Sequence, residues 1–192
     1  LGQFFRIYNM KSSKEFDIII WGASGFTGRL VVTHLFKNYG VNNDLKWAMA
    51  GRNKKKLKQV RFSAADNSVP IIIADSNDEV SLKEMIIRTK VICTTVGPYA
   101  IYGSKLVSLC VNQGTDYCDL SGEVQWMRKM IDQYHEIAKI NGVKIVHTCG
   151  FDSIPSDMGV YFIQRELKAQ IGQLANKIEM RVAGIRGGIS GG

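Results

Sequence analysis

The chain has 192 residues, 45% apolar and 22% charged, with 19 glycines and only 3 prolines, a profile that excludes disordered and fibrous classes and leaves room for one full domain with residues to spare. Net charge is +8, yet residues 52–61 alone carry six positive charges and no acid. The basic character is therefore local, has no aromatic interleaving, and gives no case for nucleic-acid binding.

Other classes fall away as quickly. No apolar run approaches the roughly 20 residues needed to span a bilayer. The first ten residues lack the order of a secretory signal, and Met10 reads as an initiator. Cys93, Cys110, Cys118 and Cys149 form no C-x-x-C pair and are expected to be reduced and buried, which fits a cytoplasmic location. His34, His135 and His147 form no ligand pair, so no metal site is expected.

Residues 16–21 are isoleucine-rich and stop at glycine, a strand that leads through a turn into a helix over 26–39, with Gly40 as its C-terminal cap. A strand is predicted at 45–50, a basic helix from Lys54, and a buried strand at 70–74. A helix at 81–89, a strand at 90–96, a helix at 104–113 ending at Gly114, and a strand at 115–120 follow. Residues 123–141 form a longer amphipathic helix with Met127, Met130, Ile131, Tyr134, Ile137 and Ala138 on one face, before a sixth strand at 143–147. Strands alternating with helices in this way predict an α/β fold with a parallel, doubly wound Rossmann-like sheet in residues 14–155. A helix at 157–168 and a strand at 176–182 then break the pattern. Residues 156–192 are expected to open a second, truncated α+β domain for substrate and dimerisation.

The first turn reads Gly22-Ala23-Ser24-Gly25-Phe26-Thr27-Gly28. Glycine at 22 and 25 lets the backbone turn tightly and approach a pyrophosphate, Gly28 lets helix and strand pack closely, and the helix N-terminus favours negative charge. Ser24, Phe26 and Thr27 lie within the same turn. An NAD-preferring fold usually carries an acid at the end of its second strand, to accept from the ribose hydroxyl. Here that place holds Ala50-Gly51-Arg52, so NADP is the expected cofactor, with Arg52 clamping the 2′-phosphate and Asn53 and Lys56 assisting. Asp75 closes the third strand, where it can serve the adenine side or simply a turn. Thr95, Gly97 and Pro98 close the fourth, at the carboxyl edge where ligands of such sheets sit.

Together with Gly97-Pro98-Tyr99, Tyr102-Gly103, Asp119-Leu120-Ser121-Gly122-Glu123 and the string Gly150-Phe151-Asp152-Ser153-Ile154-Pro155-Ser156-Asp157, these motifs resemble the saccharopine dehydrogenase-like oxidoreductases, including the trans-acting enoyl reductases. The resemblance runs from about residue 16 to 165. It implies a two-domain NADP-dependent oxidoreductase of about twice this length, whose later domain supplies much of the substrate site. The substrate it implies is a small molecule, lipid-related enoyl or carbonyl compounds included. It also allows a homodimer, and membrane or lipid-droplet contact through parts outside this chain.

The chemistry beyond cofactor binding is faint. None of the seven tyrosines is followed four residues later by lysine, which sets aside the mechanism of short-chain dehydrogenases. Asp152, Ser153, Tyr99, Tyr102 and Glu123 fall in loops at the carboxyl edge. Among them Asp152 is the candidate for orienting the nicotinamide side and Tyr99 the candidate proton donor, against the plainer readings of a helix cap and a packing ring. The alternative at the level of the whole protein is a non-catalytic NADP-binding sensor or scaffold.

Overall fold

The computed structural model describes residues 14–41 and 44–184; Met10 and the last eight residues lie outside them. The described residues contain six strands: β1 (Phe16–Trp21), β2 (Trp47–Gly51), β3 (Ile71–Ile73), β4 (Thr89–Thr94), β5 (Asp116–Asp119) and β6 (Ile145–Val146). All neighbours pair in parallel, in the order β3-β2-β1-β4-β5-β6. The strands are linked by α1 (Phe26–Tyr39), α2 (Lys54–Ala64), α3 (Glu79–Ile86), α4 (Tyr99–Gln113) and α5 (Val124–Ile140), and α6 (Ile154–Ile171) follows β6. This is the Rossmann-like doubly wound sheet the alternation predicts.

Two apolar cores sandwich the sheet, because its strands alternate side chains between faces. On one face Val32 and Leu35 of α1 and Leu57 and Val60 of α2 pack on Ile20, Trp47 and Met49. On the other, Leu82, Met85 and Ile86 of α3, Leu106 and Cys110 of α4, and Trp126 and Met130 of α5 pack on Ile19, Ala48, Ile92 and Tyr117. Local signals set the helix ends. Gly40 ends α1 at φ 63°, Gly114 ends α4 at φ 69°, and the side chains of Asn53 and Asp78 cap α2 and α3.

Several predicted elements need correction. The helix predicted at 104–113 starts five residues earlier, at Tyr99, because the Glu123 carboxylate accepts from Tyr99 N at 2.6 Å and Ala100 N at 2.8 Å and so supplies a cap from a distant loop. On α5, Met130 and Ala138 are buried, but Ile131 and Ile137 are 47% and 41% exposed, since this helix overhangs the edge of the sheet at β6. Residues 176–182 form no strand. They run back along α6, where Gln164 exchanges two hydrogen bonds with the backbone of Ala175, and no described strand lies beside them to complete a ladder.

Candidate functional site

The strand order reverses between β1 and β4, so the loops leaving their carboxyl ends diverge and open a crevice. A cleft of about 270 Å³ lies there. Its floor is Trp21, Gly22, Ser24 and Gly25 from the first turn; one wall is Gly51 and Arg52 after β2 with Asp75, Ser76 and Asn77 after β3; the other is Thr95, Val96 and Gly97 after β4, with Tyr102 from α4.

The turn can take only glycine at two of its positions. Gly22 sits at φ 88°, and a Cβ there would lie 2.6 Å from Val96 Cγ2 and 2.8 Å from Thr95 Oγ1. A Cβ on Gly28 would overlap the Gly22 carbonyl. Thr95 locks the turn from the opposite strand: its amide donates to Trp21 O at 2.9 Å and its hydroxyl reaches Trp21 O and Gly22 O, each at 3.3 Å. The backbone is thereby held close to whatever occupies the cleft.

Two helices, α1 and α4, start beside this switch point, and they differ in charge. The N-terminus of α4 already holds the Glu123 carboxylate. The N-terminus of α1 has Gly25 as its cap, no side-chain hydrogen bond and no acid in its first turn. Its amides therefore remain available to an anion, and the partial positive charge of the helix end favours one. Arg52 is exposed at the lip with no ion pair among the described residues. These features fit a pyrophosphate on α1 and a second phosphate beside Arg52.

The remaining predicted residues divide. Gly22, Ser24, Gly25, Arg52, Asp75, Thr95 and Gly97 line the cleft together. Asp75 does so while its carboxylate accepts from Asn77 N at 2.9 Å, so it is a turn residue as well. Phe26, Thr27 and Gly28 form the first turn of α1 behind the floor, and Pro98 precedes α4. Asn53 caps α2 by accepting from Lys56 N at 3.0 Å, and neither side chain lines the cleft. Tyr99 is in the core: it stacks on Trp126, its hydroxyl donates to Thr94 O at 3.3 Å, and burial pushes its phenol well above the ordinary range. Its side chain does not line this cleft, whereas that of Tyr102 does. Asp152 is exposed on the loop before α6, outside the cleft, and Ser153 takes the cap position without a side-chain bond.

Sequence reasoning missed the group that orders the carboxyl edge of β5 and β6. Asp119, fully buried, accepts from Tyr117 Oη at 2.8 Å, Ser121 N at 3.0 Å and Thr148 N at 3.1 Å, and pairs with His147 Nδ1 at 2.7 Å. A lone His and a lone Asp far apart in sequence carry no spacing signal, so only the β5–β6 pairing reveals them. Ser76 and Asn77 were missed as cleft residues, although their place after β3 marks the same edge, whereas Tyr102 was among the candidates named there. Among the described residues no group of His, Cys, Asp or Glu is placed to hold a metal, and no helix is long and apolar enough to cross a membrane.

Comparison with known proteins agrees with this geometry. The chain is 43% identical over 156 residues to the trans-acting enoyl reductase of Mycobacterium tuberculosis and 42% identical over 156 residues to that of Mycobacterium ulcerans. Each match covers 80% of this chain but only 37% of the relative, so the chain spans less than half the length of these proteins. Among solved structures, apo saccharopine dehydrogenase (L-Glu forming) from Saccharomyces cerevisiae matches 78% of this chain and 31% of its own at a TM-score of 0.58 and 18% identity. Triphenylmethane reductase from Citrobacter sp., complexed with NADP(H), matches 80% of this chain and 54% of its own at a TM-score of 0.54 and 16% identity. At those identities the structural matches speak for the fold. Residues 18–146, a span that includes the glycine turn, Arg52 and Asp119, match the saccharopine dehydrogenase NADP binding domain, and the chain belongs to that family.

Proposed function

We propose that this chain is the NADP-binding part of an oxidoreductase that reduces an enoyl or carbonyl group of a small, lipid-related substrate. The observation that carries the reading is the contrast at the switch point: α1 presents uncapped amides to the cleft while Glu123 fills the end of α4. NADP, when bound, supplies the hydride chemistry. The α1 amides and Gly22–Gly25 backbone hold the pyrophosphate, Arg52 pairs with the 2′-phosphate, and Asp75 with Ser76 and Asn77 borders the adenosine side. Thr95 and Gly97 keep the opposite wall close, and Tyr102 lines the cleft beside them. The names of the relatives favour turnover over a sensor or scaffold.

Residues 14–155 form the nucleotide domain in this reading, and 156–192 open a second domain that completes the substrate site. Support comes from α6, which buries none of its residues and leaves Tyr161 and Phe162 more than half exposed, and from the alternation of Ile178, Met180 and Val182 with charged residues. Any homodimer and any membrane or droplet contact are assigned to the longer protein. Four free cysteines fit a reducing compartment such as the cytoplasm.

The test is oxidation of NADPH by the full-length protein in the presence of enoyl thioesters and aldehydes of graded chain length. Acceptor-dependent loss of NADPH absorbance that disappears in Gly22→Ala supports the reading. Tight NADPH binding with no oxidation by any acceptor would instead support a sensor.

A further inference from the structure

Cys93 on β4 and Cys118 on β5 are direct partners in the parallel ladder. Their neighbours Ile92 and Tyr117 point into the core under α3, α4 and α5, so the pleat turns both thiols to the opposite face. Over β1 and β2 that face is covered by α1 and α2. Towards β6 it is more open: both cysteines are half-buried, and Val146 is 50% exposed. Interaction with Cys118 holds the Cys93 thiol below its ordinary range, while interaction with Cys93, together with burial, raises that of Cys118. Adjacent strands lie about 4.8 Å apart, within the Cα separation of roughly 4.4–6.8 Å that a disulfide bridges.

We propose that Cys93 and Cys118 are an oxidant-sensitive dithiol that hydrogen peroxide closes to an intrachain disulfide, and that closure weakens nucleotide binding in the adjoining cleft. The Cys93 thiolate attacks one peroxide oxygen, the O–O bond breaks, and hydroxide leaves and takes up a proton as water, so that Cys93 becomes a sulfenic acid. The Cys118 sulfur then attacks the Cys93 sulfur, the S–O bond breaks, and a second water leaves with the thiol proton. The two thiols together lose two electrons, and the peroxide gains them.

The link to the cleft is short. Thr95 lies two residues beyond Cys93 and carries the bonds from β4 to Trp21 O and Gly22 O that hold the glycine turn. Closure brings the two sulfurs to a bond length of about 2.05 Å and fixes β4 against β5 at Cys93, which constrains that wall. This second half of the proposal rests on the nucleotide reading above, whereas the dithiol stands apart from it. Neither of the other thiols offers the same chemistry: Cys110 is fully buried, and Cys149, exposed and with its thiol raised by burial of its sulfur, is not a ladder partner of either.

The 192-residue chain is treated with a small excess of hydrogen peroxide, its remaining thiols are alkylated, and the digest is mapped by mass spectrometry. A peptide pair linked through Cys93 and Cys118 is expected, reopened by dithiothreitol, absent in Cys93→Ser and Cys118→Ser, and kept in Cys149→Ser. If a serine variant fails to fold by circular dichroism, the wild type and Cys149→Ser carry the test. NADPH titration should give at least about tenfold weaker binding after oxidation, with no effect of peroxide on folded Cys118→Ser. Full alkylation of Cys93 and Cys118 after peroxide, or a bridge that involves Cys149, overturns the dithiol. A Cys93–Cys118 bridge with unchanged NADPH affinity overturns the coupling. Failure of the reduced chain to bind NADPH overturns the nucleotide reading and the coupling with it, while the peptide map still decides the dithiol.

Discussion

At the scale of single residues, the cleft depends on positions where a side chain cannot be accommodated. Gly22 combines a left-handed φ of 88° with two neighbours, Val96 Cγ2 and Thr95 Oγ1, inside the space a Cβ would need. Gly22→Ala is therefore expected to cost about 1–3 kcal/mol in urea unfolding and to abolish nucleotide binding, because the turn must move away from Thr95 to relieve the overlap. A variant with the wild-type urea midpoint would show that the turn is looser than this geometry requires. Gly114, with open space around its Cβ position, tolerates substitution better: only its φ of 69° opposes a side chain, and Gly114→Asn should be close to neutral.

At the scale of elements, electrostatic contacts fix where helices begin and how strands meet. Glu123 stands 24 residues from Tyr99 and closes the N-terminus of α4 with two short hydrogen bonds. Replacement by alanine should lower stability by about 1–2 kcal/mol, and Glu123→Gln, which keeps an acceptor but loses the charge, by less. Equal urea midpoints for wild type and Glu123→Ala would contradict the cap. Asp17 ties β1 to its two neighbours, accepting from Lys90 Nζ at 2.7 Å and Lys46 N at 2.9 Å, and these bonds hold its carboxyl below the ordinary 3.8. The folded value lies below the unfolded one, so the stabilisation is complete above about pH 4 and is lost as the pH falls through the folded value. Asp17→Asn should accordingly be less stable than wild type at pH 7, by up to about 1 kcal/mol for this partly exposed pair, with the gap closing in acid. A gap that persists at pH 2 would point to packing instead. The long-range character of Glu123 also explains what the sequence could reveal. Strand and helix identities through β6 were legible from periodicity, and Gly40 and Gly114 marked two helix ends, because those signals are local. The start of α4, the core position of Tyr99 and the Asp119–His147 pair were not, because each depends on a partner more than 20 residues away. The strand expected at 176–182 failed for a related reason: alternation shows a segment fit for a ladder but cannot supply the neighbouring strand.

At the scale of the molecule, the basic charge and the fold point to one place. Six cationic side chains fall between the end of β2 and the body of α2, and the first of them, Arg52, stands at the lip of the cleft that the strand order creates between β1 and β4. Of the two helices that start beside the β1–β4 switch point, α4 has its N-terminus occupied by the protein's own carboxylate, while α1 has its N-terminus free of any acid or side-chain cap. The central claim is that the cleft beside α1 takes NADP, with Arg52 on its 2′-phosphate. Calorimetric titration of NADPH and NADH into the 192-residue chain and into its Arg52→Ala variant tests that claim most directly. The account predicts that wild type prefers NADPH roughly ten- to hundredfold, as one charge-assisted contact of about 1.5–3 kcal/mol implies, and that Arg52→Ala removes the preference while leaving NADH binding unchanged. Equal affinity of the wild type for the two nucleotides, or a preference for NADPH that survives Arg52→Ala, would contradict it.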